Sequence, residues 1–376
     1  MGLKERLLFQ MLGSEALNLR VGKPLAGALP PPAFASMMRT ATKQTVAGLV
    51  CSGFVHCNVE LNKYDAAKVF FTLRKLEEDN HKINAELAAL SSLLGSRGIK
   101  FVVVKGQTIA CRYPYPDTRE PGDIDFYCDA DNFEAARRIL VEEWKVEFED
   151  EDDDESDQHI TFTRNDVIFE MHFCLYKFAS KRLQRIFNRM VDEAGPAFVE
   201  VGGERIPVLP PSVNITYTFL HLWHHLVELG VGLRQFCDLA VLLKELHGSD
   251  DREEQRLLAV NLERLGFTKA FEAVACVLVD TIGLPRESVP VALRPRASRY
   301  VAPILDIVFR RGNFGQYGRK ERIRSGWRYY VESMRIKLSH YVRFYLLAPR
   351  ENTAVILKSI PARVVMAFRR QKDCRQ

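Results

Sequence analysis

Several features are scarce in these 376 residues. No uninterrupted apolar stretch reaches the roughly 18 residues that a membrane-spanning helix needs, and the best runs are as short as AVACVLV at Ala273 to Val279. The opening MGLKERLLFQML places charges among its apolar positions and lacks the compact hydrophobic block of a secretory signal. Eight cysteines are scattered from Cys51 to Cys374 without a Cys-x-x-Cys pair, which argues against a zinc ribbon or disulfide framework and for a reducing, cytoplasmic setting. With 22 Gly and 17 Pro the chain is neither collagen-like nor of low complexity, and no repeat of fixed period is visible. What is present is a globular composition, 47% hydrophobic and 27% charged, which excludes wholesale disorder and is long enough for two or three domains.

Charge of one sign is concentrated at the end. Residues 310–376 carry 17 Lys and Arg against 4 Asp and Glu, a balance of +13 in a chain whose total is +5, leaving −8 for the rest. Such a segment meets anionic lipid, nucleic acid or a phosphorylated substrate, and charge alone does not choose among them. No recognised RNA-binding motif accompanies it. Phe344, Tyr345, Leu346 and Leu347 beside Arg343, and Val364, Val365, Met366 and Phe368 beside Arg369 and Arg370, suit an interfacial amphipathic helix. A peripheral contact of a cytoplasmic protein with the membrane surface is therefore expected beside the plainer reading of a solvated helix face. The acidic tract from Glu147 to Asp157 reads as a solvated loop, because that density of like charge is not buried.

Patterning divides the chain into an N-terminal helical region (1–94), a mixed α/β core (95–209), a helical domain (210–315) and the basic helical tail (316–376). In the first region, PLAGALPPP around Leu25 to Pro32 is a turn or extended linker. Leu73, Leu76, Ile83, Leu87, Leu90 and Leu94 then mark an amphipathic helix that Gly95 and Gly98 should stop. Strands are expected at Ile99–Val104, at Asp123–Cys128, at His159–Arg164 and at Val167–Phe173, the last two joined by a two-residue turn at Asn165 and Asp166. Between them, QTIACRY suggests a helical turn or two, and DNFEAARRILVEE a helix capped by Asp131 or Asn132. Ser212 is the expected cap of the first helix after Pro210.

The chemistry lies between Lys105 and His172. Side chains alternate along a strand, so Asp123 and Asp125 of GDIDF share one face while Ile124 and Phe126 enter the core, and Glu170 and His172 likewise share a face. Two carboxylates on one face repel, and a cation is the usual remedy. If the two strands pair, Glu170 stands about 4.8 Å from the aspartate row, and two magnesium ions about 3.5 to 4 Å apart fit among the three carboxylates. That arrangement suits phosphoryl or nucleotidyl transfer. A glycine after a buried strand, here Gly106, lets backbone N–H groups approach a phosphate, and Lys105 and Arg119 supply positive charge to a triphosphate.

The pattern FVVVKGQTIACRYPYPDTREPGDIDFYC followed by IFEMHF resembles the uncharacterised bacterial nucleotidyltransferases of the polymerase-beta-like superfamily. The matching positions are Lys105, Gly106, Tyr113, Pro114, Arg119, Gly122, Asp123, Ile124, Asp125, Glu170 and His172, and the resemblance spans roughly residues 70 to 315. His221, His225, Arg234 and Asp238, and the later Gly312-Asn313-Phe314-Gly315, also look familial. The resemblance implies an α/β (α+β) nucleotidyltransferase-like mixed sheet flanked by helices, with Asp123, Asp125 and Glu170 as metal ligands and catalytic groups. Lys105, Gly106, Thr108, Arg119, Gly122 and His172 would hold the nucleotide. The broader superfamily's Gly-Ser after the first strand is here Gly106-Gln107-Thr108, so the serine's phosphate contact falls to Thr108 or is lost.

Plainer readings stand beside these. His172 is either a phosphate contact, a carboxylate partner or a structural histidine at a sheet edge. His221, His224 and His225 have zinc-binding spacing on one helix face but no Cys or Glu to complete the set. Arg234 and Asp238 most simply form a surface helix pair. The expected function is transfer of a nucleoside monophosphate from an NTP to an acceptor hydroxyl, with Mg2+ or Mn2+ as cofactor and release of pyrophosphate. The acceptor is open: a small molecule, a sugar or lipid-linked intermediate, a tRNA or a protein. The alternatives are a toxin-type enzyme that modifies tRNA or protein, and a non-catalytic nucleotide-binding scaffold.

Overall fold

Six short strands, rich in β-branched and aromatic residues, form one mixed sheet in the computed structural model, which describes residues 2–19, 30–57, 59–149, 158–315, 317 and 327–359. They are β1 (Val102–Val104), β2 (Ile124–Tyr127), β3 (His159–Arg164), β4 (Val167–His172), β5 (Ala197–Val201) and β6 (Glu204–Val208), in the spatial order β3-β4-β2-β1-β6-β5. β1–β2, β3–β4 and β5–β6 are antiparallel, whereas β2–β4 and β1–β6 are parallel. The first four strands fall where patterning places them, and the expected mixed α/β class holds. Asn165 and Asp166 both take positive φ (49° and 53°), as a two-residue hairpin turn requires.

The helices are α1 (Leu3–Leu17), α2 (Pro31–Lys43), α3 (Ala47–His56), α4 (Lys63–Ser96), α5 (Gln107–Ala110), α6 (Ala130–Ile139) and α7 (Lys181–Asp192). After the sheet come α8 (Pro211–Glu228), α9 (Leu233–Gly248), α10 (Arg252–Leu265), α11 (Thr268–Val277), α12 (Val301–Arg311), α13 (Trp327–Arg343) and α14 (Pro349–Ala354). Three boundaries differ from expectation. Helix α4 runs through Gly95 to Ser96, and Gly98, with φ 70°, is the left-handed stop just beyond its cap. The cap of α6 is Asp129, which accepts from Asn132 N, and α8 starts on Pro211, with the Ser212 N–H given to Glu254 Oε2 at 2.6 Å.

Alternation along β2 and β4 gives the sheet two different faces. Ile124, Phe126, Phe169 and Met171, with Phe162 of β3, pack on Leu87, Leu90 and Leu94 of α4 and Ala136 of α6 in one apolar cluster. Helices α1–α3 from the start of the chain and α8–α12 from its second half share the other cluster, in which Phe9, Phe34 and Phe54 are buried together with Phe219, Trp223 and Phe271. Loop Gly312–Gly315 seals the end of α8 at very close range: a Cβ at Gly230 would meet Arg311 Cβ at 2.5 Å, and one at Gly315 would meet Leu229 O at 2.6 Å.

In the tail, Phe344 and Leu347 are buried, Phe344 beside the Trp223 ring (centroids 5.8 Å apart), while Tyr345 and Leu346 are exposed. Val364 to Arg370 and residues 150–157 of the acidic tract lie outside the described residues. Among the described residues no helix is long and apolar enough to cross a membrane, and the seven described cysteines form no disulfide.

Candidate active site

The polar face of the sheet carries the expected carboxylates. In the parallel β2–β4 pair, Asp125 lies directly opposite Glu170 and Tyr127 opposite His172. Asp123, Asp125 and Glu170 each offer an oxygen, and these oxygens all lie within 4.8 Å of one another. Asp125 is buried, Glu170 half-buried, and Asp123 the most open of the three. They form part of the wall of a cleft of about 160 Å³, which is closed on its other side by Tyr217, His221, His224 and His225 of α8.

One ammonium sits among these acids. Lys105 Nζ is 2.8 Å from Asp125 Oδ1 and 3.3 Å from His221 Nε2, and lies over the Tyr217 ring. Burial would lower its pKa, but Asp125, Tyr217, Glu170 and Asp123 outweigh burial and hold it well above the ordinary range. A lysine has donors alone, so His221 Nε2 accepts from it and carries its proton on Nδ1. Burial, reinforced by Lys105, keeps His221 neutral, far below its usual pKa.

His172 Nε2 donates to Asp125 Oδ1 at 2.9 Å and stands 3.3 Å from Glu170 Oε2. Burial would raise the Asp125 carboxyl, yet Lys105 and His172 together hold it well below the carboxylate range. Glu170 goes the other way. Burial, with Asp125 and Asp123 adding to it against the His172 hydrogen bond, pushes its carboxyl up to about 8. Three carboxyl groups thus face one lysine, crowded closely enough that Glu170 holds its proton, and a divalent cation is the group that relieves such crowding. The donors are hard oxygens, the type that magnesium and manganese take.

Backbone strain marks the turn beside them. Lys105, a non-glycine residue, has φ 58°, and Gly106 follows with φ 47° and ψ −128°. Two successive positive φ values aim the lysine into the cleft, and such strain concentrates at functional sites. Gln107, the residue after Gly106, is buried and donates to Asn80 Oδ1 (3.0 Å) and Asn84 Oδ1 (2.6 Å) of α4. Its amide pins the turn to the helix beneath. The Thr108 hydroxyl is likewise turned inward, donating to Lys105 O at 2.7 Å, and Thr108 does not line the cleft.

Arg119 and Gly122 line the cleft, but the Arg119 guanidinium is already engaged. Its Nε and Nη2 donate to Asp238 Oδ1 and Oδ2 at 2.8 and 2.9 Å, and Tyr113 OH donates to the same Oδ1 at 2.7 Å. Asp238 is therefore buried with Arg119 rather than paired with Arg234 on the surface. Arg234 Nη1 donates to Glu120 O (2.9 Å) and Pro121 O (3.2 Å) next to Gly122, and its buried Nε has no partner. Of the two arginines on the cleft, Arg119 is paired with a carboxylate, whereas the hydrogen bonds of Arg234 go to backbone carbonyls.

All of these residues fall within 31–283, the stretch that matches the family described as uncharacterised nucleotidyltransferase. The chain belongs to that family. Among solved structures it is similar to an antigenic nucleotidyltransferase-like protein from Paracoccidioides brasiliensis, at 14% identity over 50% of this chain and 88% of that one, with a TM-score of 0.32. No curated protein matches it.

Two residues of this nucleotidyltransferase-family site escape a reading of the sequence. His159 faces His172 across the β3–β4 hairpin, with ring centroids 4.9 Å apart. Its signal was available, because a two-residue turn at Asn165 and Asp166 fixes the register down to that pair. Tyr217 has no such signal: it lies in a stretch of α8 buried on every side, between Thr216 and Thr218, and only tertiary packing brings it over Lys105.

Proposed function

We propose that this protein transfers a nucleoside monophosphate from an NTP to an acceptor hydroxyl, with divalent cations held by Asp123, Asp125 and Glu170. The observation that carries this reading is the meeting of those three carboxylates within 4.8 Å on the wall of a cleft, beside the strained Lys105–Gly106 turn. Divalent cations bound there would neutralise the triphosphate, lower the pKa of the acceptor hydroxyl and carry charge on the departing pyrophosphate.

The chain's own groups supply the rest. In the reaction the acceptor oxygen bonds to the α-phosphorus, the bond to the bridging oxygen of pyrophosphate breaks, and Glu170 takes the hydroxyl proton. Lys105, held against Asp125 by an ion pair and by His221, has its ammonium at the cleft wall for the phosphates. Arg234, whose Nη1 and Nη2 lie next to Gly122 and whose hydrogen bonds go to backbone carbonyls rather than to a carboxylate, is a better candidate than Arg119 for direct contact with the triphosphate. Arg119 acts at one remove, fixing the loop before Gly122 through Asp238.

The test is transfer of label from each of four α-labelled NTPs, with magnesium or manganese, into cell extract, comparing wild type with Asp123→Ala/Asp125→Ala. A labelled product made by the wild type alone is expected, with transfer reduced at least about 10³-fold in the variant, the several kcal/mol that metal stabilisation provides. The size of that product sorts a small or lipid-linked acceptor from tRNA or protein. Equal nucleotide binding by both proteins with no transfer under either metal overturns the enzyme reading in favour of a binding scaffold.

A further inference from the structure

The hairpin of β3 and β4 sets His159 directly opposite His172 and Thr161 opposite Glu170, so both imidazoles and the Glu170 carboxylate share one sheet face. Both histidines are buried. His159 Nε2 is 3.9 Å from Glu170 Oε1, His172 Nε2 is 3.3 Å from Glu170 Oε2, and one donor atom from each of the three residues lies within 4.8 Å of the others. Donors around a tetrahedral zinc, with bonds of about 2.0–2.1 Å, stand about 3.3–3.4 Å apart. The His172–Glu170 pair already has that spacing, and small side-chain rotations bring in His159.

This donor set differs chemically from the carboxylate set next to it. Asp123, Asp125 and Glu170 offer oxygen alone, whereas His159, Glu170 and His172 offer two imidazole nitrogens and one carboxylate, which magnesium takes poorly and zinc takes well. A second observation points to the same place: Thr161, buried directly across from Glu170, has a hydroxyl without a partner. The histidines of α8 are a poorer candidate, because the Lys105 ammonium lies 3.3 Å from His221 Nε2 and would repel a cation there.

We infer that His159, Glu170 and His172 form a second cation site, selective for a borderline transition metal of the zinc class and joined to the carboxylate site through Glu170. A metal on His172 Nε2 takes the place of the proton now given to Asp125, and the neutral ring carries its one proton on Nδ1 instead. Three protein ligands leave one tetrahedral position for water or substrate. The inference borrows Glu170 from the catalytic reading but depends on no step of transfer.

The test uses the full chain stripped of metal, titrated with Zn2+ against a chromophoric chelator in excess magnesium, and in parallel with Co2+ followed by its visible absorption. One equivalent of zinc should bind, with the intense visible bands of a tetrahedral site for cobalt. His159→Ala should weaken zinc binding by about 10-fold or more, since even outer-shell partners of metal ligands account for that much. Asp123→Asn should bind zinc within about 3-fold of wild type, as a residue outside the set. His159→Gln, close in volume to histidine, should melt with wild type and still lose zinc.

The inference is overturned if His159→Ala and His159→Gln bind zinc as wild type does. It is equally overturned if zinc is lost in Asp123→Asn, which places the metal on the carboxylates, or in His225→Ala, which places it on α8. Zinc binding without any transfer activity would remove the catalytic reading alone, and transfer without zinc binding would remove this inference alone.

Discussion

Asp238 and Asp125 are both buried carboxylates beside a cation, yet their surroundings diverge. Asp238 receives a bidentate guanidinium from Arg119 and the hydroxyl of Tyr113, so one negative charge meets one positive charge with both oxygens bonded. Around Asp125 the groups do not pair off: Asp123 and Glu170 add two further carboxyl groups beside the single ammonium of Lys105, Glu170 is crowded into keeping its proton, and all four residues line the cleft. Burying a charge is tolerated when it is paired and hydrogen-bonded. The Arg119–Asp238 cluster is complete within the chain, and the Asp125 cluster is completed only by something that enters the cleft. That difference separates a structural ion pair from a binding site, although both sit on the same cavity.

The comparison is broken most severely by removing Asp238. Asp238→Ala leaves Arg119 buried and unpaired and should destabilise the fold by about 3–5 kcal/mol in urea unfolding, whereas Asp123→Ala, at the most open of the three carboxylates, should change it by less than about 0.5 kcal/mol. Similar losses from both would show that the two clusters bear alike on stability. Magnesium should sharpen the distinction. At about 100 times its dissociation constant it should stabilise the wild type by about 2.7 kcal/mol, stabilise Asp238→Asn to a similar extent, and leave Asp123→Ala/Asp125→Ala unmoved in thermal melts.

The smallest effect concerns pH in the metal-free protein. The Glu170 carboxyl is raised from 4.5 to about 8, so in the folded state it keeps a proton that the unfolded chain has released. Its contribution to stability is therefore full below about 4.5 and is lost as pH rises toward about 8. Glu170→Gln should remove that decline, so that the variant gains on wild type as pH rises toward 8 and the advantage vanishes near pH 4. Parallel pH profiles for the two proteins would show that Glu170 is not held in the protonated form.

Much of the site is legible without coordinates because strand periodicity is a local rule. Asp123 with Asp125, and Glu170 with His172, share a face for the same reason that Phe126 and Phe169 share the opposite one. The hairpin of β5 and β6 was equally local in origin, since Gly202 and Gly203 (φ 59° and 83°) separate two alternating runs, but glutamates and a proline within those runs mask the strand signal. Helix caps were less legible, because Asp129, Asp131 and Asn132 are all competent caps and the choice follows from where the chain leaves β2.

The roles of Arg119, Gln107 and Asp238 were not legible, because each depends on a partner distant in sequence. Arg119 looks like a phosphate ligand until α9 brings Asp238 against it, 119 positions away along the chain. Gln107 looks like a departure from a phosphate loop until Asn80 and Asn84 of α4 take its amide.

The sequence by itself determined the strands of the polar face, the pairing of acids upon it and the family pattern that spans them, since these follow from residue type and spacing along one chain. Only the tertiary structure decided which cations are spent internally and which remain at the cleft. That choice depends on which side chains compete for the same carboxylate in three dimensions, and a buried ion pair is set by the distance and desolvation of both partners together.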